Sequence, residues 1–422
     1  MEEMVMKDKE VNASISGNHQ NGGNGFLKFL KILGPGLITS ALVLGPGSIT
    51  LNSKIGAIYG TELVWSIIVA VILMACYTEM AARIGIAGKD TFINLVKEKW
   101  GKWAGIIIGI GAFLVCSSFQ AGNAIGTGIA VEAITGISSK VWIIVGTLLG
   151  VALLFLTQFY KVLEKLMLAL VILMLFAFLI TLIIVKPSIV DIFSGFVPRF
   201  PEGSMALVIA LIATSFSIVG AIYQSYLVRE KGVGRKEVQE SKFEAIFGIF
   251  LLGFISFLIM ITAATVLKPE GILVNNAIEM AGILKPSFGS FAVFIFVLGL
   301  FGASYSSLIG NATIGGGLLA DGLGLGHQLS SMKVKIAIII VMLFGSFIAL
   351  IFDGNPVNLI TFAQGVTIFV VPFIAIAILV IANSKEIMGD LKNKLFSNVL
   401  GIIGLLLLIY LAFNNFKNIF LS

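Results

Sequence analysis

The stretch Gly34–Asn52, GPGLITSALVLGPGSITLN, decides the fold. It starts as an apolar helix and stops being one at Gly45-Pro46-Gly47. Pro46 has no N–H to donate, and the flanking glycines leave the backbone unusually free. Ser48 follows as a candidate N-cap, with an amphipathic run behind it. An apolar segment of membrane length is therefore interrupted at its middle. In lipid, the interruption strands N–H and C=O groups, which is tolerated only where they are buried in protein or line a cavity. A broken helix at mid-membrane is the sequence pattern of a solute site in an alternating-access carrier.

Composition agrees. Of 422 residues, 58% are hydrophobic and 12% charged, with a mean hydropathy of +1.05; soluble domains carry about 25% charged residues. The chain reads as a polytopic membrane protein whose partner is the lipid bilayer. Its net charge of +6 is a topology signal, and no basic residues interleaved with exposed aromatics point to nucleic acid. Cys76 and Cys116 fall in apolar runs, which suits core packing and offers no disulfide framework. His19 and His327 fall outside the apolar runs, so no histidine is expected to carry protons within the membrane.

Apolar runs near the length of a bilayer predict eleven spans, at about 30–55, 61–83, 104–131, 140–158, 163–185, 206–229, 245–266, 289–311, 334–351, 357–382 and 395–413. Residues 1–29 read as a disordered cytoplasmic tail. With the N-terminus inside and the C-terminus outside, three quarters of the 28 Lys and Arg face the cytoplasm, as the positive-inside rule requires. The connecting loops are short, so function is expected inside the bundle.

Span six carries a second interruption. Its middle, Ser217 to Tyr226, combines Gly220 with Tyr223, Gln224, Ser225 and Tyr226 at membrane depth. Span one opens the first five and span six the second five, and matched interruptions are the mark of inverted repeats. The expected repeats are 30–185 and 206–382, with 395–413 as an extra helix.

At this point a family becomes recognisable. Gly34-Pro35-Gly36, Ala81-Ala82-Arg83-Ile84-Gly85 with Gly88-Lys89-Asp90, Ile125-Gly126-Thr127, Ile218-Val219-Gly220-Ala221, and Gln364 through Pro372-Phe373 to Met388-Gly389 together resemble the natural resistance-associated macrophage protein (NRAMP) metal transporters. The resemblance implies an all-α, LeuT-like fold of inverted five-helix repeats, with helices one and six broken. Some residues depart from the family pattern. Where the family has Asp-Pro-Gly-Asn, this chain has Gly45-Pro46-Gly47-Ser48. Where it has Met-Pro-His, this chain has Gln224-Ser225-Tyr226. The family's acidic pair in helix three aligns with Gln120 and Asn123, and Gln364 in helix ten stays as a candidate ligand.

Dehydrating a divalent ion without a carboxylate is costly, and no Asp or Glu is expected deep in a span. The candidate substrate-binding residues are Gly45, Pro46, Gly47, Ser48, Gln120, Asn123, Tyr223, Gln224, Ser225 and Gln364, with Arg229 as a possible attractor of anions. Half-helix N-termini and neutral donors suit a carboxylate. The leading expectation is therefore transport of an organic carboxylate or a metal–carboxylate chelate such as metal–citrate. The alternatives are a hydrated divalent ion such as magnesium, manganese or iron, and a neutral solute or a channel. Uniport and symport both stay open. No nucleophile–base pair, nucleotide loop or cofactor motif points to an enzyme or a pump, and the chain suits a monomer.

Overall fold

The computed structural model describes residues 45–274, 276–351 and 356–420, with the backbone alone described at 157–164, 167, 356–369, 415 and 418–420. The expected tail and the start of span one lie outside the described residues. The regular elements are helices: α1 (Pro46–Tyr59), α2 (Val64–Ala87), α3 (Phe92–Trp100), α4 (Lys102–Thr135), α5 (Ser139–Leu153), α6 (Thr157–Val185), α7 (Ile189–Ser194), α8 (Met205–Ser215), α9 (Ile218–Glu230), α10 (Val238–Val266), α11 (Ala277–Ala281), α12 (Lys285–Phe288), α13 (Ala292–Gly322), α14 (Met332–Ile351), α15 (Pro356–Asn383), α16 (Lys385–Met388) and α17 (Leu395–Phe420).

Each expected span holds a helix, but the lengths differ. Among the described residues, eight helices are long and apolar enough to cross a membrane, or nine if the pair Val370–Asn383 and Lys385–Leu391, bent by 62°, counts as one span. The difference from eleven lies in α1 and α5, which have 14 and 15 residues. Span eight differs at its far end: α13 runs to Gly322 rather than stopping near 311. That extension brings in Asp321, which lies in the last turn, at the end of the span rather than deep in it, and is only 2% exposed.

Two non-helical points organise the described bundle, the start of α1 and the joint between α8 and α9. Gly45 precedes α1 in extended conformation, and Pro46 occupies the first turn, where a missing N–H costs nothing. Ser48 is therefore not the cap but lies inside the first turn. The second break falls at Phe216-Ser217, earlier than the expected Gly220–Gln224. Ser217 leaves helical geometry and accepts a hydrogen bond from the Gly220 N–H at 3.3 Å, capping α9. Gln224 and Ser225 are consequently regular helix.

Helices α4 and α13 form the central column. They pack together more extensively than any other pair, and two reciprocal amide bonds join them: Gln120 Nε2 donates to the Leu308 carbonyl and Asn311 Nδ2 to the Cys116 carbonyl, both at 2.7 Å. Farther along, glycine meets glycine. A Cβ on Gly109 would lie 2.9 Å from the Gly322 Cα, and one on Gly322 2.8 Å from the Gly109 Cα. Gly109→Val is expected to push the column apart and cost about 1–3 kcal/mol. Heating the detergent-solubilised protein before size-exclusion chromatography measures this. Gly122→Ala, whose new Cβ meets nothing within 4 Å, should leave the midpoint unchanged.

Candidate functional site

The paired breaks face one cavity of about 820 Å³ of atom-free space. Gly45, Gly47 and Ser48 of the first break line it, with Thr214, Ser217, Val219 and Gly220 around the second. Val115, Cys116, Ser118, Phe119, Gly122 and Asn123 come from α4, and Ser307, Asn311 and Ile314 from α13. The chain can place a break here because Gly126 lies beneath it. A Cβ on Gly126 would come within 2.5 Å of the Pro46 ring and 2.4 Å of Ser304 Oγ, so only glycine lets the proline seat on α4.

The protons of several polar groups are already committed. Ser118 Oγ donates to the Leu114 carbonyl at 2.8 Å, and Thr214 Oγ1 to the carbonyls of Ala210 and Leu211 at 3.0 Å. Asn311 spends its amide N–H on Cys116. Ser118 and Thr214 therefore present acceptor oxygens to the cavity, while the Ser217 hydroxyl, which accepts from the Gly220 N–H, and the second N–H of Asn311 keep protons to donate. At the end of α8, the Phe216 N–H reaches the Ile212 carbonyl at 2.7 Å, and the carbonyls beyond Ile212 belong to the uncapped last turn. Among the described residues, no group of three or more His, Cys, Asp and Glu comes together, and no carboxylate lines this cavity.

Of the residues singled out from sequence, Gly45, Gly47, Ser48 and Asn123 line the cavity. Asn123 is 5% exposed, and a Cβ on Gly45 would lie 3.1 Å from its Oδ1. Pro46 packs on Gly126 instead. Gln120 is fully buried in the α4–α13 seam, where its Oε1 has no partner. Gln224 is buried with an unpartnered Oε1, and Ser225 Oγ donates to the Ile222 carbonyl at 2.7 Å; neither lines the cavity. The side chain of Gln364 lies outside the described residues. Ser118, Gly122 and Thr214 escaped the sequence reading. The signal was there for α4: Val115, Ser118-Phe119, Gly122 and Asn123 recur at helical spacing on one face.

Tyr223 and Arg229 line a second cavity, of about 1440 Å³, with Gly85, Gly88, Thr91, Tyr226, Glu230, Gly317 and His327. Arg229 donates to the carbonyls of Gly88 at 2.7 Å and Lys89 at 3.2 Å, so part of its guanidinium is engaged in closing α2. Nearby Asp90 is partly buried, which raises its carboxyl pKa. Hydrogen bonds from the Asn94 amide and the Thr91 N–H, with the charges of Arg229 and His327, outweigh that and hold it below the ordinary carboxylate value. The vestibule lining itself carries Glu230 beside Arg229.

The division between seam and site is testable. Gln120→Leu removes the bond that ties α4 to the Leu308 carbonyl, a loss of about 0.5–1.5 kcal/mol, and should lower the thermal midpoint while leaving KM for the transported solute within about twofold. Thr214→Val should do the reverse, raising KM at an unchanged midpoint. Parallel flux and unfolding measurements separate the two.

Solved structures with the same architecture include the Eremococcus coleocola manganese transporter crystallised with an aromatic bis-isothiourea substituted compound. It aligns with a TM-score of 0.79 and 18% identity over 96% of this chain and 90% of its own. This likeness shows the LeuT-like fold of broken-helix repeats. By sequence, the chain is 25% identical over 412 residues to the divalent metal cation transporter MntH of Deinococcus radiodurans, covering 93% of this chain and 91% of the relative. It is 22% identical over 384 residues to the protein of the same name from Yersinia pestis, covering 88% and 91%. The model of the natural resistance-associated macrophage protein-like (Nramp) family matches residues 36–416, and the chain therefore belongs to that family of multi-pass membrane transporters.

Proposed function

We propose that this chain moves a divalent metal cation by alternating access, and that the ion enters the cavity with part of its water shell. The observation that carries this reading is the polarity of the cavity oxygens. Ser118 and Thr214 have spent their only donors on backbone carbonyls, and Asn311 one of its two amide N–H groups, so the two hydroxyls offer lone pairs, which a cation or its water can use and a carboxylate cannot. The relatives named divalent metal cation transporters support a cation over the carboxylate or chelate expected from sequence. That expectation counted hydroxyls and amides as donors without knowing where their protons go.

Retained water follows from the missing charge. Magnesium is bound by proteins through few ligands and keeps several waters, because it dehydrates reluctantly. The cavity leaves about 90 Å³ for the centres of water-sized spheres, which at about 10–15 Å³ per water holds roughly six waters. Neutral oxygens replace outer-shell contacts without forcing dehydration. With the positive-inside orientation, the cavity containing Arg229 and His327 opens to the cytoplasm.

Proteoliposome flux of magnesium and manganese, with and without citrate, tests the reading. Saturable cation entry that needs no citrate is expected, and strictly citrate-dependent entry would overturn it. Gly45→Asp sharpens the test. The new carboxylate would sit against the Asn123 side chain, which must yield by a few tenths of an ångström. It should lower KM for manganese roughly tenfold, about 1.4 kcal/mol, whereas a carrier of carboxylates would lose transport through like-charge repulsion.

A further inference from the structure

The site cavity and the vestibule are separated by one turn of each of two helices. On α9 the site cavity reaches Gly220, and the vestibule begins at Tyr223. On α13 the site cavity reaches Ile314, and the vestibule begins at Gly317. Three residues of helix span about 4.5 Å, so the wall is one layer of side chains thick. Tyr223 is its largest member, and its ring stacks on Tyr226 with centroids 6.2 Å apart and planes 13° from parallel.

Tyr226 is in turn tied down. Its hydroxyl donates to Asp321 Oδ2 at 2.6 Å. Lys97 from α3 donates to the Asp321 backbone carbonyl and places its ammonium 4.0 Å from Oδ1. The carboxylate is nearly solvent-free, so it needs both partners. The bond therefore joins three elements that meet at one end of the bundle: the half-helix α9, the end of the central α13, and the connector α3.

We propose that Tyr226, Asp321 and Lys97 form a latch that holds the wall between the two cavities shut, with the Tyr223 ring as the closing surface. The latch rests on the chain being an alternating-access transporter and is independent of the identity of the cargo. Moving α9 away from α13 takes the Tyr223 ring out of the wall and exposes Asp321 to the water of the vestibule, which replaces the phenol as its partner. Closure and opening are thus two discrete arrangements of one hydrogen bond, and removing the phenol hydroxyl biases the pair toward opening.

The test reads accessibility rather than transport, so its failure is distinct from a failure of the cation reading. In a Cys76→Ser, Cys116→Ser background, Gly122→Cys places a thiol in the site cavity, where its Cβ meets nothing within 4 Å. A membrane-impermeant thiosulfonate is applied to right-side-out and to inside-out vesicles. Tyr226→Phe keeps the ring stack and loses the hydroxyl's bond to Asp321, together with its contacts to the Thr91 side chain and the Ile93 backbone, so Asp321→Asn is the arm that isolates the carboxylate. Tyr226→Phe should speed labelling from the side of His327 roughly tenfold, the weight of a hydrogen bond to a charged group, and should not speed it from the other side. Asp321→Asn should act likewise, and the double variant should go no further than either alone. If Asp321→Asn does not elute as a single species, Tyr226→Phe and Lys97→Met decide the question. Unchanged labelling in Tyr226→Phe, or equal acceleration from both sides, would overturn the latch.

Discussion

A backbone that stops being helical in the middle of a bilayer must hide its polar groups, and the seat of Pro46 on Gly126 is how this protein hides the first of them. The proline ring takes the space that any side chain at Gly126 would fill. It brings the extended residue Gly45 against Asn123 rather than against lipid. That seat requires α4 to stay fixed, and α4 is fixed by α13 through the reciprocal bonds of Gln120 and Asn311. The site therefore depends on a column that contributes two of its walls while bearing the stress of the break. Removing one amide from the seam leaves the carbonyl its own helical N–H but loses the bond that holds the two helices in register, about 0.5–1.5 kcal/mol.

The same column explains why polar residues at membrane depth sort into two roles. A buried amide has both donors and an acceptor, and the helix it faces decides which are consumed. Gln120 turns to Leu308 and leaves the site. Asn311, on the opposite helix, gives one N–H to the Cys116 carbonyl and still lines the cavity. Hydroxyls on α4 and α8 give their protons to their own helix, as Ser and Thr in apolar helices commonly do. On the proposed reading, cation preference in a chain without the family's aspartate would come from how neutral groups are oriented, a property that residue types alone do not reveal.

Much of the fold was legible, because membrane-length apolar runs and a Gly-Pro-Gly interruption leave few alternatives. The fold class and the family followed from them. Three things were not legible. Ser217 outcompetes Gly220 as the point of the second break because a hydroxyl at the N-cap satisfies a stranded N–H, whereas glycine merely permits a bend. Helix α13 continues beyond the apolar run because Asp321 finds Tyr226 and Lys97 at its end. A hydropathy reading ends the span before that carboxylate and so places it outside. Ser118 and Thr214 look like ordinary helix residues until the neighbouring helices are in place.

The two half-helix starts differ in a way that bears on where a charge can rest. No side chain caps α1 at Gly45, and its first-turn bond, Ile49 N–H to the Gly45 carbonyl, is long at 3.5 Å. Its end of the cavity therefore keeps an uncompensated positive dipole. At α9 the Ser217 hydroxyl quenches part of the corresponding dipole, and directly before it the carbonyl end of α8 contributes the opposite sign. A cation in this cavity is drawn away from Ser48 and toward Thr214, with Ser118 and Asn311 presenting oxygens from the walls. In family members with an aspartate at the first break, that carboxylate opposes the dipole of α1. With Gly45 in its place, the break in α8–α9 becomes the more negative side of the cavity, the side on which the proposed cation would rest.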